Sequence, residues 1–205
     1  MIGWHDRFCS DAAERAVLGG AAAVVFGAAG FPFGYQPHAA AAAASPRALF
    51  FYPDPDPVIV LERAWSLEGD WRARALEGTI RDPEALLAAV RAAGAVKGPV
   101  QVQFGLGAAY LSEGEPASLL KRYRRLLPSG STVTIGIVAD DEAAQFAKLT
   151  SARPYTAGDV AAWCAGAGLG LEGKPADVRA HGREKLGEGL RDEGIRIMAA
   201  VARKP

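Results

Sequence analysis

The sequence predicts an α/β fold: a mostly parallel sheet with helices on both faces. Three observations predict it. Helical and strand-like segments alternate in the order helix, then βαβαβαβαβαββ, and repeated βα units imply parallel strands joined by right-handed crossovers. The run Leu49-Phe50-Phe51-Tyr52 is apolar without alternation, as expected of a strand buried on both faces. The last two of the seven strand-like segments have no helix between them, which makes the last strand antiparallel.

The elements follow in chain order. Ser10-Asp11-Ala12-Ala13-Glu14 reads as a helix start with acids in its first turn. Residues 23–27 form a short apolar strand ending in glycine, and the Ala-rich residues 37–44 favour helix. Residues 48–52 are the second strand. Pro53, Pro55 and Pro57 cannot continue a ladder, so this strand is expected to end at Tyr52. Asp56 then serves as N-cap and Pro57 as the first turn of a helix over 57–67, with Val58, Leu61, Ala64 and Trp65 along one side.

Residues 71–77 give a weak strand. Asp82-Pro83-Glu84 opens a helix with an N-cap, a proline at its first position and an acid after it; it ends at Gly94. Residues 99–106 alternate as a strand. A helix opened by Glu115-Pro116 closes at Pro128-Ser129-Gly130, and residues 131–139 are a β-branched strand. Thr156 to Asp159 caps a helix through Gly166. Segments 169–172 and 195–202 then read as an antiparallel hairpin around a charged stretch, 174–193, expected to be a mobile connection over the sheet edge.

With 205 residues, half of them apolar and 22% charged, the chain is expected to be one domain, 1–205, with a real core. Lys plus Arg and Asp plus Glu balance at 23 each, which gives no electrostatic case for nucleic acid or an anionic membrane as partner. The N-terminus lacks the basic-then-apolar order of a signal peptide, and the Ala-rich run 17–29 is too short to span a bilayer. A cytoplasmic location and no membrane contact are therefore expected. Cys9 and Cys164 have no metal spacing and read as small buried apolar residues. His5, His38 and His181 are too scattered for a metal cluster.

Parallel sheets bind ligands outside the carboxyl ends of their strands, where the strand order reverses. The site is thus expected to gather residues 27–33, 54–56, 79–82 and 104–110. Asp54 has two readings: a carboxylate for ribose hydroxyls, or a residue that with Asp56 only stops the strand and caps the helix. Gly27 and Gly30 either serve a ligand or only the geometry of a strand-to-helix turn; the Gly-x-Gly-x-x-Gly spacing of a dinucleotide site is missing. Asp82 is read first as an N-cap, with a contact near an adenine as the alternative. His38 is expected to face solvent or bond backbone rather than act as a general base. Phe33, Tyr35 and Tyr110 line a pocket or pack the core. Lys121-Arg122-Tyr123-Arg124-Arg125 is expected to be a solvated helix face.

Several motifs in order carry a family resemblance. They are Gly30-Phe31-Pro32-Phe33, Gln36-Pro37-His38, Tyr52-Pro53-Asp54-Pro55-Asp56-Pro57, Arg81-Asp82-Pro83-Glu84, Arg122-Tyr123-Arg124, Pro128-Ser129-Gly130-Ser131 and the ending Val201-Ala202-Arg203-Lys204-Pro205. From about His5 onward the chain resembles the actinobacterial S-adenosyl methyltransferase family, once a domain of unknown function, within the class I S-adenosylmethionine-dependent methyltransferases. The resemblance implies a Rossmann-like class I methyltransferase fold, seven strands with the last antiparallel. It implies S-adenosylmethionine as cofactor, a small-molecule substrate, and a cofactor-binding set of Gly27, Ala28, Gly30, Asp54, Pro55, Ile80, Asp82, Phe104 and Gly105. It assigns no catalytic residue and no metal.

Departures from the family pattern imply weak or lost cofactor binding. Phe26 stands where the first strand carries an acid, and Ala28 and Ala29 occupy two glycine-turn positions. Ala39 and Thr79 replace two further acids, and Gly107-Ala108-Ala109-Tyr110 lacks the family's histidine. The alternative function is therefore a methyltransferase-like protein without methyl transfer, either a cofactor-independent cyclase or a non-catalytic binding subunit. The family's N-terminal covering segment has no counterpart before His5. A homodimer is expected to cover apolar residues near Trp4, Phe8, Phe31 and Phe33.

Overall fold

A computed structural model of the chain describes residues 2–27, 36–94, 97–139, 148, 150–178 and 197–205. Six α-helices and eight strands are described: α1 (Ile2–Leu18), β1 (Ala23–Phe26), α2 (His38–Ala44), β2 (Leu49–Asp54), α3 (Pro57–Ser66), β3 (Ala73–Glu77), α4 (Pro83–Gly94), β4 (Val100–Gly105), α5 (Glu115–Leu126), β5 (Thr132–Val138), α6 (Ala157–Ala167), β6 (Gly170–Leu171), β7 (Ala176–Asp177) and β8 (Ile197–Arg203). A 3-10 turn, Leu106–Tyr110, follows β4.

All eight strands join one sheet, ordered β3-β2-β1-β4-β5-β8-β6, with β7 also pairing β8. The β2-β1-β4 centre is parallel, with Val25 opposite both Phe51 and Val102. β8 runs antiparallel to β5, β6 and β7. The fold is thus the expected Rossmann-like α/β plan with an antiparallel last strand. The additional strand is β7, a two-residue pairing inside the stretch read as a mobile connection. Two residues are too short to leave a periodic signal. The remainder of that stretch, from residue 179 to 193, lies outside the described residues.

The pleat sorts the core. Ala23, Val25, Phe51, Val102 and Phe104 face one side, where Leu86 and Leu87 of α4, Leu120 and Tyr123 of α5, and Val160 and Cys164 of α6 cover them. Val24, Phe26, Phe50 and Tyr52 face the other, against Ala13 and Val17 of α1 and Ala41 and Ala42 of α2. α1 is also pinned by polar contacts. Gln103 Nε2 donates to Cys9 O (2.9 Å), and Gln101 Nε2 donates to Ala12 O (3.1 Å).

Three local expectations are corrected. α1 does not start at Ser10. It begins near Ile2 and carries Ser10 and Asp11 buried at mid-helix, with Asp11 paired to Arg7 one turn earlier (3.0 Å). β2 does not stop at Tyr52 but runs through Pro53 to Asp54.

The reason is directional. Leu49 N bonds Ala22 O on the β1 side, whereas Phe50 N bonds Arg72 O and Asp54 O accepts from Gly78 N on the β3 side. The bonding direction alternates along the strand, so Pro53 faces β1, whose pairing with β2 ends at Phe51. There no donor is needed.

The apolar side of α3 faces outward, with Val58 60%, Leu61 49% and Trp65 61% exposed, while Arg63 is buried at 3%. The Arg63 guanidinium lies over the Tyr52 ring, 4.8 Å from its centroid, a partner that an apolar side chain could not exploit electrostatically. Finally, Phe8 is not exposed. It packs with Val178 and Ile197 beneath β8. Phe31 and Phe33 lie outside the described residues, as does the side chain of Trp4.

Candidate functional site

Four segments meet at the carboxyl edge of the sheet. β1 ends at Gly27, whose N–H donates to Gln103 O (2.9 Å). Gly27 leaves no room for a side chain. A Cβ there would lie 2.1 Å from Ile80 Cγ2 and 3.0 Å from Gln103 O, distances that only bare backbone tolerates. Ile80, buried in the turn after β3, therefore sets how closely that turn approaches the end of β1. β4 ends on a register irregularity between Gln103 and Gly105, and Gly105 has φ +52°. That left-handed φ favours glycine and turns the chain into the 3-10 segment.

Asp54 stands half-buried at the end of β2. Its Oδ1 accepts from Asp56 N (2.9 Å), and Asp56 Oδ1 in turn caps α3 by accepting from Val58 N (2.8 Å). The capping role offered for the two acids falls to Asp56. Asp56 is the cap, and Asp54 is the carboxylate held by a local turn at the strand end. Pro55 between them is exposed.

Asp82 is the N-cap of α4, accepting from Ala85 N at 3.2 Å, and it lies 3.8 Å from Arg122. Phe104 is 1% exposed and edge-on to Tyr123, with centroids 5.3 Å apart, so its side chain belongs to the core. Ala28, Gly30, Phe33 and Tyr35 lie outside the described residues. Tyr110 is exposed, and its carbonyl accepts from Arg81 (2.9 Å).

The basic run on α5 is a solvated face only in part. Arg122 pairs with Glu84 and donates to Arg81 O (3.1 Å), while Tyr123 between the arginines is wholly buried and donates to Ile80 O (3.0 Å). Burial pushes the Tyr123 phenol well above its usual range. The charges flanking Tyr123 hid its role. The spacing Leu119, Leu120, Tyr123, Leu127 is a buried helical stripe that would have shown it.

Behind Asp54 lies a buried polar group that sequence reading missed. His38 is 1% exposed, neither solvent-facing nor backbone-bonded. Its Nδ1 lies 2.6 Å from Tyr52 Oη and its Nε2 3.4 Å from Asp70 Oδ2. With the carboxylate near Nε2, the tautomer protonated there lets Nδ1 accept from the Tyr52 hydroxyl. Arg72 holds Asp70 (3.1 Å) and donates to Ala42 O (2.8 Å).

Burial lowers the pKa of His38 below the usual histidine value, against the opposing pull of Asp70. Burial also lowers that of Arg63, partly offset by Tyr52, Asp54 and Asp6. Phe26, at the position where the resemblance places an acid, is 3% exposed and stacked on Tyr52 with centroids 4.8 Å apart. Among the described residues no group of three or more His, Cys, Asp or Glu side chains is placed to hold a metal ion. No described helix is long and apolar enough to cross a membrane.

Known structures share this architecture. A protein of Thermobifida fusca assigned as a methyltransferase superposes with TM-score 0.79 at 19% identity, over 98% of this chain and 80% of that one. A DUF574 family protein from Streptomyces avermitilis gives 0.76 at 23% identity, over 98% and 81%. Human N-acetylserotonin methyltransferase, in complex with S-adenosylmethionine, gives 0.57 at 13% identity, over 95% and 51%. No curated protein matches the sequence. Residues 18–163 match the model of the S-adenosyl methyltransferase family, a stretch that runs from the end of α1 into α6 and includes every residue of the carboxyl-edge site described above. The chain belongs to the S-adenosyl methyltransferase family.

Proposed function

We propose that the chain binds S-adenosylmethionine across the carboxyl ends of β1, β2 and β4 and directs its methyl group to a small molecule. The observation that carries this reading is the placement of Asp54. It is a turn-held carboxylate at the end of β2, beside the point where the strand order reverses around β1. The residues present fit the cofactor. Asp54 supplies an acceptor for ribose hydroxyls, Gly27 offers bare backbone, and Ile80 gives an apolar flank. Ala28, Gly30, Pro55, Asp82, Phe104 and Gly105 complete the proposed set, the last two through backbone since Phe104 is buried.

When bound, the sulfonium supplies an electrophilic methyl group, so the protein's contribution is orientation and exclusion of water. His38 is no base for the substrate, because its ring is enclosed and engaged by Tyr52 and Asp70. The likeness to an N-acetylserotonin methyltransferase supports a small acceptor.

We also propose that residues 1–205 form one domain, since all described strands share one sheet. Cys164, a buried thiol outside any disulfide, supports a cytoplasmic location. The chain further acts as a homodimer. The surface that supports this is the outward face of α3, Val58, Leu61 and Trp65, together with Trp71 before the edge strand β3. Two copies meeting there would cover four tryptophans and their apolar neighbours, reaching the order of 1,000 Å² at which specific interfaces begin.

Calorimetric titration of the purified chain with S-adenosylmethionine and S-adenosylhomocysteine tests the function. Saturable heat with both is expected. No heat and no thermal shift at millimolar cofactor would favour the methyltransferase-like protein without methyl transfer.

A further inference from the structure

Two consecutive side chains of α5 grip two consecutive carbonyls of the β3–α4 turn. Tyr123 Oη donates to Ile80 O at 3.0 Å, and Arg122 Nη1 donates to Arg81 O at 3.1 Å. Arg81 itself reaches back to Glu115 at the start of α5 (2.9 Å) and to Tyr110 O (2.9 Å). The turn is therefore sewn to α5 along its length. Its one buried apolar side chain, Ile80, is the group that fills the space beside Gly27. A continuous mechanical path runs from the Tyr123 hydroxyl, through the Ile80 carbonyl and side chain, to the end of β1.

We infer that Tyr123 is a positioning residue for the adenosyl half of the cofactor, acting through Ile80 on the backbone at Gly27. The inference rests on the proposed cofactor site. Its chemistry is simple: a buried phenol has one hydrogen to give, and here it fixes a turn rather than touching a ligand. The Tyr123 ring is independently held edge-on to Phe104, so loss of the hydroxyl leaves the ring packed and releases only the turn. Arg122 alone cannot replace it. Its guanidinium is also drawn to the exposed carboxylates of Glu84 and Asp82.

The test uses Tyr123→Phe, Ile80→Ala and the double variant. Titration with S-adenosylhomocysteine and, separately, adenosine should show both weakened by the same factor in Tyr123→Phe, on the order of 2- to 12-fold for one lost hydrogen bond. Added to Ile80→Ala, the same change should cost almost nothing more, because its path is already cut. Amide hydrogen exchange provides a readout without cofactor. The Gly27 and Asp82 amides should exchange faster in Tyr123→Phe, while Ile135 in β5 stays as in the wild type. Unchanged affinity for both ligands, or additive losses in the double variant, overturns the inference. A wild-type chain that binds no S-adenosylhomocysteine overturns the reading of the site. In that case faster exchange at Gly27 still supports the hold of Tyr123 on the turn, and unaltered exchange overturns it.

Discussion

The hydroxyl of Tyr52 and Nδ1 of His38 lie 2.6 Å apart in a region where both rings are almost fully enclosed. This contact ties the first turn of α2 to β2, two residues before Asp54. It also gives the fold a pH dependence. The unfolded histidine takes up a proton near pH 6.5, whereas burial holds the folded His38 below that value. Just below pH 6.5 the unfolded chain thus binds more protons, and stability falls as pH falls. Asp70, Arg72 and Arg63 face the same ring. Asp70 titrates in the acid range, where its own depressed pKa costs stability only at much lower pH. Thermal midpoints should drop between pH 7.5 and 5.5. His38→Gln should flatten that slope while lowering stability throughout, by about 1–3 kcal/mol for the disturbed buried pair.

Asp54→Ala tests the ribose contact. A charge-assisted hydrogen bond contributes roughly 1.5–3 kcal/mol, or about 10- to 150-fold in affinity. With Phe26 at the first-strand position, no second acid shares the task there, so calorimetry should lose measurable cofactor binding. The thermal midpoint should fall modestly, for the lost turn bond to Asp56 N and the lost charge near Arg63, with the fold kept because β2 pairs with β3 through backbone atoms. Equal binding by wild type and variant would place the cofactor elsewhere.

Phe26→Asp, which restores the family's acid, should not restore affinity. The side chain at 26 points into the layer beneath α2 and stacks on Tyr52. A carboxylate there would be buried and lose the aromatic contact, costing several kcal/mol. The expected result is a large fall in thermal midpoint with no gain in heat of cofactor binding.

Gly27→Ala should destabilise by about 1–3 kcal/mol, the usual cost of overpacking, because its methyl group would meet Ile80 Cγ2 and the Gln103 carbonyl. Combined with Ile80→Ala, which removes the first of these contacts, the loss should shrink. Equilibrium denaturation of the two variants and the double variant reads this directly.

Light scattering at tens of micromolar should report a dimer, and Trp65→Glu should report a folded monomer whose thermal midpoint no longer depends on protein concentration, since Trp65 is 61% exposed within one chain. A wild-type monomer would remove the proposed interface.

The order of elements along the chain, the parallel centre and the reversed last strand were legible because each βα unit carries its own punctuation: Asp56-Pro57, Asp82-Pro83, Glu115-Pro116 and Thr156 through Asp159 all stand at the observed helix starts. Asp54 was legible for the same reason, at the end of an apolar run. What escaped reading depends on partners distant in sequence. His38 finds Tyr52 and Asp70, Arg63 finds the Tyr52 ring, and Gln103 finds a carbonyl of α1. Local periodicity carries no trace of such pairs. On α3 it groups the apolar residues on one side but does not say which way that side faces.

Pro53 has a consequence for how the protein waits between ligands. Two parallel strands that diverge at their ends could in principle creep together, one backbone bond at a time, and seal the gap. Here the lip of β2 that faces the end of β1 has no hydrogen to offer beyond Phe51. Zippering past Phe51 is chemically blocked on the β2 side. A group placed against this lip of β2 has no hydrogen bond from the Pro53 nitrogen to displace, a cost removed by the covalent chemistry of the strand itself.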